Sequence, residues 1–588
     1  MKNNDNNAIK LRIAEAEYPF YPWQFNIGSL AGDWHDFPKM EFCWARKSTD
    51  QTFTKYSYNA LENACIRFER LCAKLVELNY NAITIADVQH AISYDGLPYC
   101  DDLPQEVLGN LEIYNRLYKR IIPIAAEKYG LQVYFYTDEV VLPEAFKEAK
   151  GGRVKLDDPE LWDLIEKRYD RLFEEFPEIA GVMVRLGELY ETEGFCGIRV
   201  DQYKDSAWGK SGLCDITKEF VKQMQAIIID KHNKTYLHRT WDLGFDKIHS
   251  NPDNQEAIFA DIIRDDFYVL TKITVGDFNV DSPFNPVFGR YGNQIVEFQC
   301  KMEHDGLDLP LFMGDNFSEF LKKHAKDISG AWVWFHEGGH SRTMNFPFFS
   351  GFAKWVESNI CCLSELLMNP DADPYELIKP WIIDEYGQGA VEAMTEIFKK
   401  SYSTISKMLR DEGGFEAYKA GADKGLDQYL LRWHTVFTEQ LSIIYSRNKD
   451  RFEAMLNRKN EAVIELGEML ELFQGIKETV DNQHIADATE NSLKDTLALA
   501  ELLRDLWKTA FLVQAEMADN PVASQSLGES FDSFNKSFET YAKFYNTFDV
   551  GQLFIFQKEV EDWLNNKTRF KRIYEKSDDV FGYPQKNN

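Results

Sequence analysis

Short runs of β-branched and aromatic residues recur along this chain as far as residue 336, and amphipathic helical patterns separate several of them. They read MEFCWAR (40–46), AITIADV (82–88), LQVYFYTD (131–138), AGVMVRLGE (180–188), TYLHRTW (235–241), FYVLTKI (267–273), QIVEF (294–298) and GAWVWFH (330–336). Between them, ALENACIRFERLCAKLVELN (60–79), EIYNRLYKRIIPIAAEKYG (112–130) and PELWDLIEKRYDRLFEEF (159–176) carry the helical period. The last sets Leu161, Leu164, Tyr169 and Leu172 on one face, and Pro123 should kink or shorten the second. Strand–helix alternation calls for a parallel sheet. Eight such runs fit an α/β fold of the (β/α)8 TIM-barrel type, enlarged beyond the usual ~250 residues by loop insertions. A doubly wound open sheet is the rival, but no GxGxxG turn follows the first run.

The ends of these runs are charged or polar: Arg46, Asp87, Asp138, Glu188, Arg239, Lys272 with Asp277, Glu297, and His336 with Glu337. In a barrel they converge on one face, where such enzymes keep their active sites. After about residue 345 the strand signals stop. LKDTLALAELLRDLWKTAFL (493–512) spaces Leu493, Leu497, Ala500, Leu503, Trp507 and Phe511 as one buried helical face, and 428–456 does the same with Leu431, Phe437, Leu441 and Ile444. The expected organisation is an N-terminal segment over 1–40 whose first ten residues are disordered, a catalytic barrel over 41–345, and a mostly α-helical C-terminal domain over 346–588. The helical domain can pack on the barrel, shape the cleft rim or form a homodimer.

Charge and cysteine usage narrow the function. With 66 basic against 95 acidic residues the net charge is −29, which excludes a general nucleic-acid binder. An anionic substrate must then be captured by local Arg or Lys against an unfavourable overall field. Nine cysteines with no CxxC pair point to reduced, buried thiols. The start, MKNNDNNAIK, lacks the apolar core of a signal peptide, and no run approaches the ~18 apolar residues of a membrane span. The expectation is a soluble cytoplasmic protein with no membrane partner.

The densest chemistry lies in LTKITVGDFNVDSPFNPVFGRYGNQIVEFQ (270–299), where Lys272, Asp277 and Glu297 flank a loop shaped by two prolines and a glycine. VRLGELYETEG (184–194) adds Glu188 directly after a strand, with Glu191 and Glu193 in the loop beyond. LHRTW (237–241) places Arg239 and Trp241 on one side of a strand. The guanidinium there can grip a carboxylate or brace the acids, and the indole offers a sugar-stacking face. HEGGH (336–340) matches the zinc-protease pattern HExxH. Two central glycines, the strand running into it and the lack of a third ligand downstream make it a loop after the eighth strand. There His336 or Glu337 can touch substrate, and no metal is expected. Acids on different strands suit glycoside hydrolysis, one protonating the leaving oxygen and another activating water. The Arg and Lys beside them indicate an acidic sugar.

Lys272, followed by ITVG and Asp277-Phe, then PFNPVFG and VEFQ, resembles the family-67 glycoside hydrolases, the α-glucuronidases of xylan breakdown. The likeness extends more weakly over about 75–385, from LNYNAITIADV to FAKWVESNICCLSELLMNPDADPYELIKPWI, and Asp281 stands where that family has an arginine. The resemblance implies that Asp277 and Glu297 position and deprotonate water, with either as the base. Glu188 is the general acid, with Glu191 and Glu193 as alternatives, and Arg239 and Lys272 bind the uronate carboxylate. It also implies inversion without metal or cofactor. The expected activity is removal of a terminal uronic acid from an oligosaccharide. A catalytically silent carbohydrate-binding barrel, or a glycosidase for a neutral or amino sugar, are the alternatives.

Overall fold

The computed structural model describes residues 8–15, 58–86, 88–186, 194–198, 206–210, 212–241, 248–276, 278–302, 309–335, 347–348, 354–410, 445, 449–518, 526–543 and 548–565. Its centre is a closed barrel of eight strands. In chain order these are β1 (Leu11–Glu15), β2 (Ala82–Ala86), β3 (Gln132–Glu139), β4 (Gly181–Leu186), β5 (Thr235–Arg239), β6 (Phe267–Lys272), β7 (Gln294–Gln299) and β8 (Ile328–Trp334). Each pairs in parallel with the next, and β8 closes on β1. Seven staves are the expected runs. The first is not: β1 lies upstream of MEFCWAR, within the stretch assigned to an N-terminal segment, and MEFCWAR itself falls outside the described residues. LRIAE has one β-branched residue and no aromatic, and it follows the polar start MKNNDNNAIK, so it does not stand out as a strand.

Helices follow the staves as their periodicity requires. α1 spans Tyr58–Glu77, and α2 spans Gln105–Pro123, where the proline ends the regular helix and the chain continues as a wider π-turn over Ile124–Lys128. α3 (Pro159–Glu175) starts where Asp158 accepts a 3.0 Å bond from the Glu160 N–H, with proline at its first position. Its Leu161, Leu164, Tyr169 and Leu172 are all buried, as their spacing predicts.

Strand periodicity sets the interior. One residue from each stave, Ile13, Ala82, Tyr134, Met183, Leu237, Leu270, Ile295 and Trp332, forms a single buried apolar cluster. Side chains alternate between faces along a strand, so the residue two places further on also points inward. That step gives a second ring of Glu15, Thr84, Tyr136, Arg185, Arg239, Lys272, Glu297 and Trp334. The barrel is thus greasy below and charged above, at the carboxyl ends of the strands. Burying each large side chain of the lower layer stabilises the fold by about 1.5–3 kcal/mol, which offsets the cost of the charges over it.

The chain forms two compact units: 1–307 with 313–378, and 308–312 with 379–588. The expected boundary at 345 therefore falls inside the first unit. That unit retains the buried helix Lys354–Met368, tied to the barrel's first segment by a 2.9 Å bond from the Ile9 N–H to the Leu367 carbonyl. The second unit is helical, with Val391–Leu409, Phe452–Ile476, Gln483–Met517 and Leu527–Tyr541 as its main described helices. Leu493, Ala500, Leu503, Trp507 and Phe511 are buried, Leu497 half-buried, and Phe452 stacks at 5.7 Å on both aromatics of that face. Leu431, Phe437, Leu441 and Ile444 lie outside the described residues. No disulfide joins any of the eight described cysteines, seven of them buried, and no described helix is long and apolar enough to cross a membrane.

Candidate active site

Arg239 ends β5 and Glu297 lies in β7, and their side chains meet across β6 over the apolar cluster. Arg239 Nε and Nη2 donate to Glu297 Oε2 and Oε1, both at 2.7 Å, and Nη1 donates to the Tyr136 hydroxyl at 3.1 Å. The pair is almost sealed from water, with Arg239 2 % and Glu297 0 % exposed. Burial alone would make Arg239 easier to deprotonate. Glu297 and then Tyr136 outweigh it, and the guanidinium ends above its ordinary value, permanently charged. Tyr136, Trp332 and Trp334 close over its carbon at 5.8, 5.4 and 5.3 Å from the ring centres, a cation–π cage. Of the two roles open to this arginine, the bracing contact is the one present: its planar fork lies on Glu297.

Lys272 ends β6, beside Glu297 in the strand register, and is 2 % exposed. Its ammonium sits 4.2 Å from the centre of the Trp241 ring and 5.0 Å from that of Phe278. One face of the Trp241 indole therefore carries the lysine rather than a sugar. Behind them a buried polar cluster fixes the strand ends. The Thr240 hydroxyl bonds that of Thr271 at 2.9 Å and meets His249 Nδ1 at 3.2 Å, and His249 Nε2 donates to the Thr274 carbonyl at 3.1 Å. Asn285, from the proline-bracketed loop, donates from its side chain to the His249 carbonyl at 3.0 Å and from its backbone to that of Ile273 at 2.7 Å. The loop thus holds the end of β6, and Gly289 at its close needs its backbone angle of +83°.

A second ion pair stands beside the first. Arg185 of β4 donates from Nε and Nη2 to Asp138 Oδ1 and Oδ2 of β3, both at 2.6 Å. Its charge presses on Arg239. Arg185, Arg239 and Lys272 occupy three consecutive staves, so one arc of the mouth is cationic. Among the described residues of that arc, these three cations face two carboxylates, Asp138 and Glu297. Of the expected site, Arg239, Trp241, Lys272 and Glu297 come together here. Glu188, Asp277, His336 and Glu337 lie outside the described residues, as do Glu191, Glu193, Arg46 and Asp87. Tyr136, Trp332, Trp334 and Glu15 were not singled out from sequence. The signal was present in the period-two steps, GAWVWF for the tryptophans and Leu11–Ile13–Glu15 for the acid.

No protein-family model matches the chain and no curated protein matches it, so the family-67 likeness rests on the residues quoted for it. Among solved structures, a GH138 enzyme targeting pectin rhamnogalacturonan II aligns with a TM-score of 0.59 at 13 % identity, over 97 % of this chain and 68 % of its own. CpGH84B aligns at 0.37 and 10 % identity over 83 % of this chain and 74 % of its own. A family 89 glycoside hydrolase from Clostridium perfringens in complex with PUGNAc aligns at 0.37 and 12 % identity, over 90 % and 68 %. The first likeness places the fold with that of a (β/α)8 glycoside hydrolase.

Proposed function

We propose that the chain is a glycoside hydrolase that removes a terminal uronic acid from an oligosaccharide by an inverting acid/base route. The observation that carries this reading is the charged ring above the apolar cluster. It holds a cationic arc of Arg185, Arg239 and Lys272 and a carboxylate fixed by one of them, beside an aromatic wall of Trp332 and Trp334. Burying such charges is costly even when they are paired, as Arg239 is with Glu297 and Arg185 with Asp138, and a site that binds a charged sugar is a use for them. The fold likeness to a GH138 enzyme targeting pectin rhamnogalacturonan II supports the glycoside-hydrolase part of the reading.

In this reading Lys272 receives the uronate carboxylate, while Arg239 serves it indirectly by holding Glu297. Both Glu297 oxygens already accept charge-assisted bonds from Arg239, which makes the group a rigid anchor for water or a sugar hydroxyl. The water-activating base is then Asp277, with Glu297 as its positioning partner, and Glu188 protonates the leaving oxygen. Water adds to the anomeric carbon as the glycosidic bond breaks, its proton passing to Asp277 and the Glu188 proton to the departing alcohol. No metal or cofactor enters.

Release of free uronate from a panel of uronate-terminated pectic and xylan oligosaccharides tests the assignment, with proton NMR reporting the anomer first formed. Glu188→Gln and Asp277→Asn each lower kcat by roughly 10²–10⁴-fold, and Glu297→Gln lowers it as well. Unchanged turnover in all three variants would sink the reading. Binding without product by the unmodified protein would favour a silent carbohydrate-binding barrel, and Lys272→Ala with intact affinity a neutral sugar.

A further inference from the structure

The apolar cluster has a second end. Two residues before its members, at the amino ends of their staves, stand Leu11, Gln132, Thr235, Tyr268 and Asn293. They line an open cavity of about 670 Å³. Lys10 ahead of β1, Lys322 and Lys326 around the end of the helix Gly314–His324, and the acids Asp266 and Asp371 complete its wall. Tyr134 of the cluster lines it too, so the apolar layer separates this cavity from the charged ring at the carboxyl ends. The whole lining belongs to the barrel unit.

Barrel interiors are filled by layers of side chains, yet here the lowest layer is mostly polar and leaves open space beneath it. Acids outnumber bases in the chain by 95 to 66, but Lys10, Lys322 and Lys326 form no ion pair among the described residues. Lys322 complements the dipole of its helix; that accounts neither for Lys10 nor for the polar floor. Gln132 Oε1 accepts a 2.7 Å bond from the Tyr134 hydroxyl, which leaves its amide nitrogen to donate. The Tyr268 hydroxyl has no hydrogen-bond partner among the described residues, and its half-buried ring stacks on no other.

We propose that this cavity binds a polyhydroxylated anion, an acidic sugar, at the end of the barrel remote from the hydrolytic mouth. The ammonium groups take the anionic group, Gln132 and Tyr268 donate to ring oxygens, and Asp266 and Asp371 accept from hydroxyls. The volume lies within the ~300–1,000 Å³ of small-molecule pockets, which gives room for a short oligosaccharide and far exceeds a bare inorganic anion. Two sources present this chemistry, a uronate-bearing oligosaccharide and a phosphorylated sugar. The proposal goes beyond the hydrolase reading and does not depend on it, since binding here uses neither Glu188 nor Asp277.

Calorimetric titration of the whole chain tests it with four probes: a uronate disaccharide, its carboxyl-reduced neutral counterpart, a hexose 6-phosphate and inorganic phosphate. Lys322→Gln with Lys326→Gln, both exposed positions, should weaken the acidic sugar by roughly 3- to 30-fold, the worth of two exposed ionic contacts. Tyr268→Phe, which removes only a hydroxyl, should weaken it by roughly 2- to 10-fold. Thermal melts check that the variants fold, and kcat on a short uronate-terminated substrate should not change in either. Lys272→Ala should leave this binding component in place. Tighter binding of the uronate identifies an oligosaccharide as the ligand, and tighter binding of the hexose phosphate a phosphorylated sugar. A neutral disaccharide that binds as tightly as the acidic one, inorganic phosphate that matches both sugars, or affinities untouched by the lysine pair and by Tyr268→Phe would each overturn the proposal. If Lys272→Ala alone abolishes all binding, the proposal fails and the hydrolase reading stands. A binding component with these preferences in a protein that turns over no uronate substrate would remove the hydrolase reading and leave the cavity's role intact.

Discussion

At the scale of single residues the site depends on a charge pair that is costly to leave half-made. Arg239 and Glu297 exchange two 2.7 Å bonds out of contact with water. Removing one partner strands the other in a medium that solvates it poorly, and such breakage destabilises by about 3–5 kcal/mol. Arg239→Met is therefore expected to lower the unfolding free energy of the barrel unit by that amount, read from chemical denaturation. The double variant Arg239→Met, Glu297→Met should recover much of the loss, because replacing a whole buried pair by apolar residues is often neutral. Neither variant should retain turnover. A single variant within about 0.5 kcal/mol of the unmodified protein, the usual range for a surface change, would show that the pair is not buried in solution. This pairing was one of two readings open to Arg239 from sequence, and only the geometry chooses, since a guanidinium that grips a neighbour and one that grips a ligand leave the same residue pattern.

Elements decide which of these groups can be found from sequence. Seven staves announce themselves because runs of five to nine residues rich in β-branched and aromatic side chains, with turn signals around them, leave a clear period. β1 does not, and Glu15 was lost with it. The proline-bracketed loop shows how a connection can hold a strand end. Gly289 sits at a φ of +83°, and a Cβ there would stand 3.2 Å from the Asp327 carboxyl group, while its own N–H donates at 2.7 Å to Gln294 at the start of β7. Gly289→Ala is expected to destabilise by about 1–2 kcal/mol through backbone strain and to lower kcat/KM by loosening β7 under Glu297. A melting temperature unchanged by the substitution would refute the strain.

In the helical unit, burial pushes the Asp495 carboxyl up to about 6. The unfolded value is near 3.9, so the native state binds more protons between these limits and stability falls as pH rises through that window. Asp495→Asn should therefore stabilise the protein at pH 7, by up to roughly 1 kcal/mol after allowance for the solvent that still reaches the group. The gain should fade as pH approaches 4. A gain that persists at pH 4 would point to a cause other than the charge.

The whole molecule sets the field in which the site works. The chain carries a net charge of −29 and the described cations of the mouth are deeply buried, so an acidic oligosaccharide is expected to approach against a repulsive potential before Lys272 can act on it. Salt shortens the reach of that potential, from a Debye length of about 20–30 Å near 0.01–0.02 M to under ~8 Å above 0.15 M, whereas the dry contacts inside the ring are screened little. Raising ionic strength from 20 to 300 mM is therefore expected to increase kcat/KM on a uronate-terminated substrate by roughly two- to fivefold and to leave kcat nearly constant. The neutral analogue of the same oligosaccharide should show no such rise, which separates the field from any general effect of salt on the fold. If kcat/KM on the acidic substrate falls with salt instead, then the cationic arc of Arg185, Arg239 and Lys272 governs capture from a distance. The acidic surface would then be oriented away from the mouth.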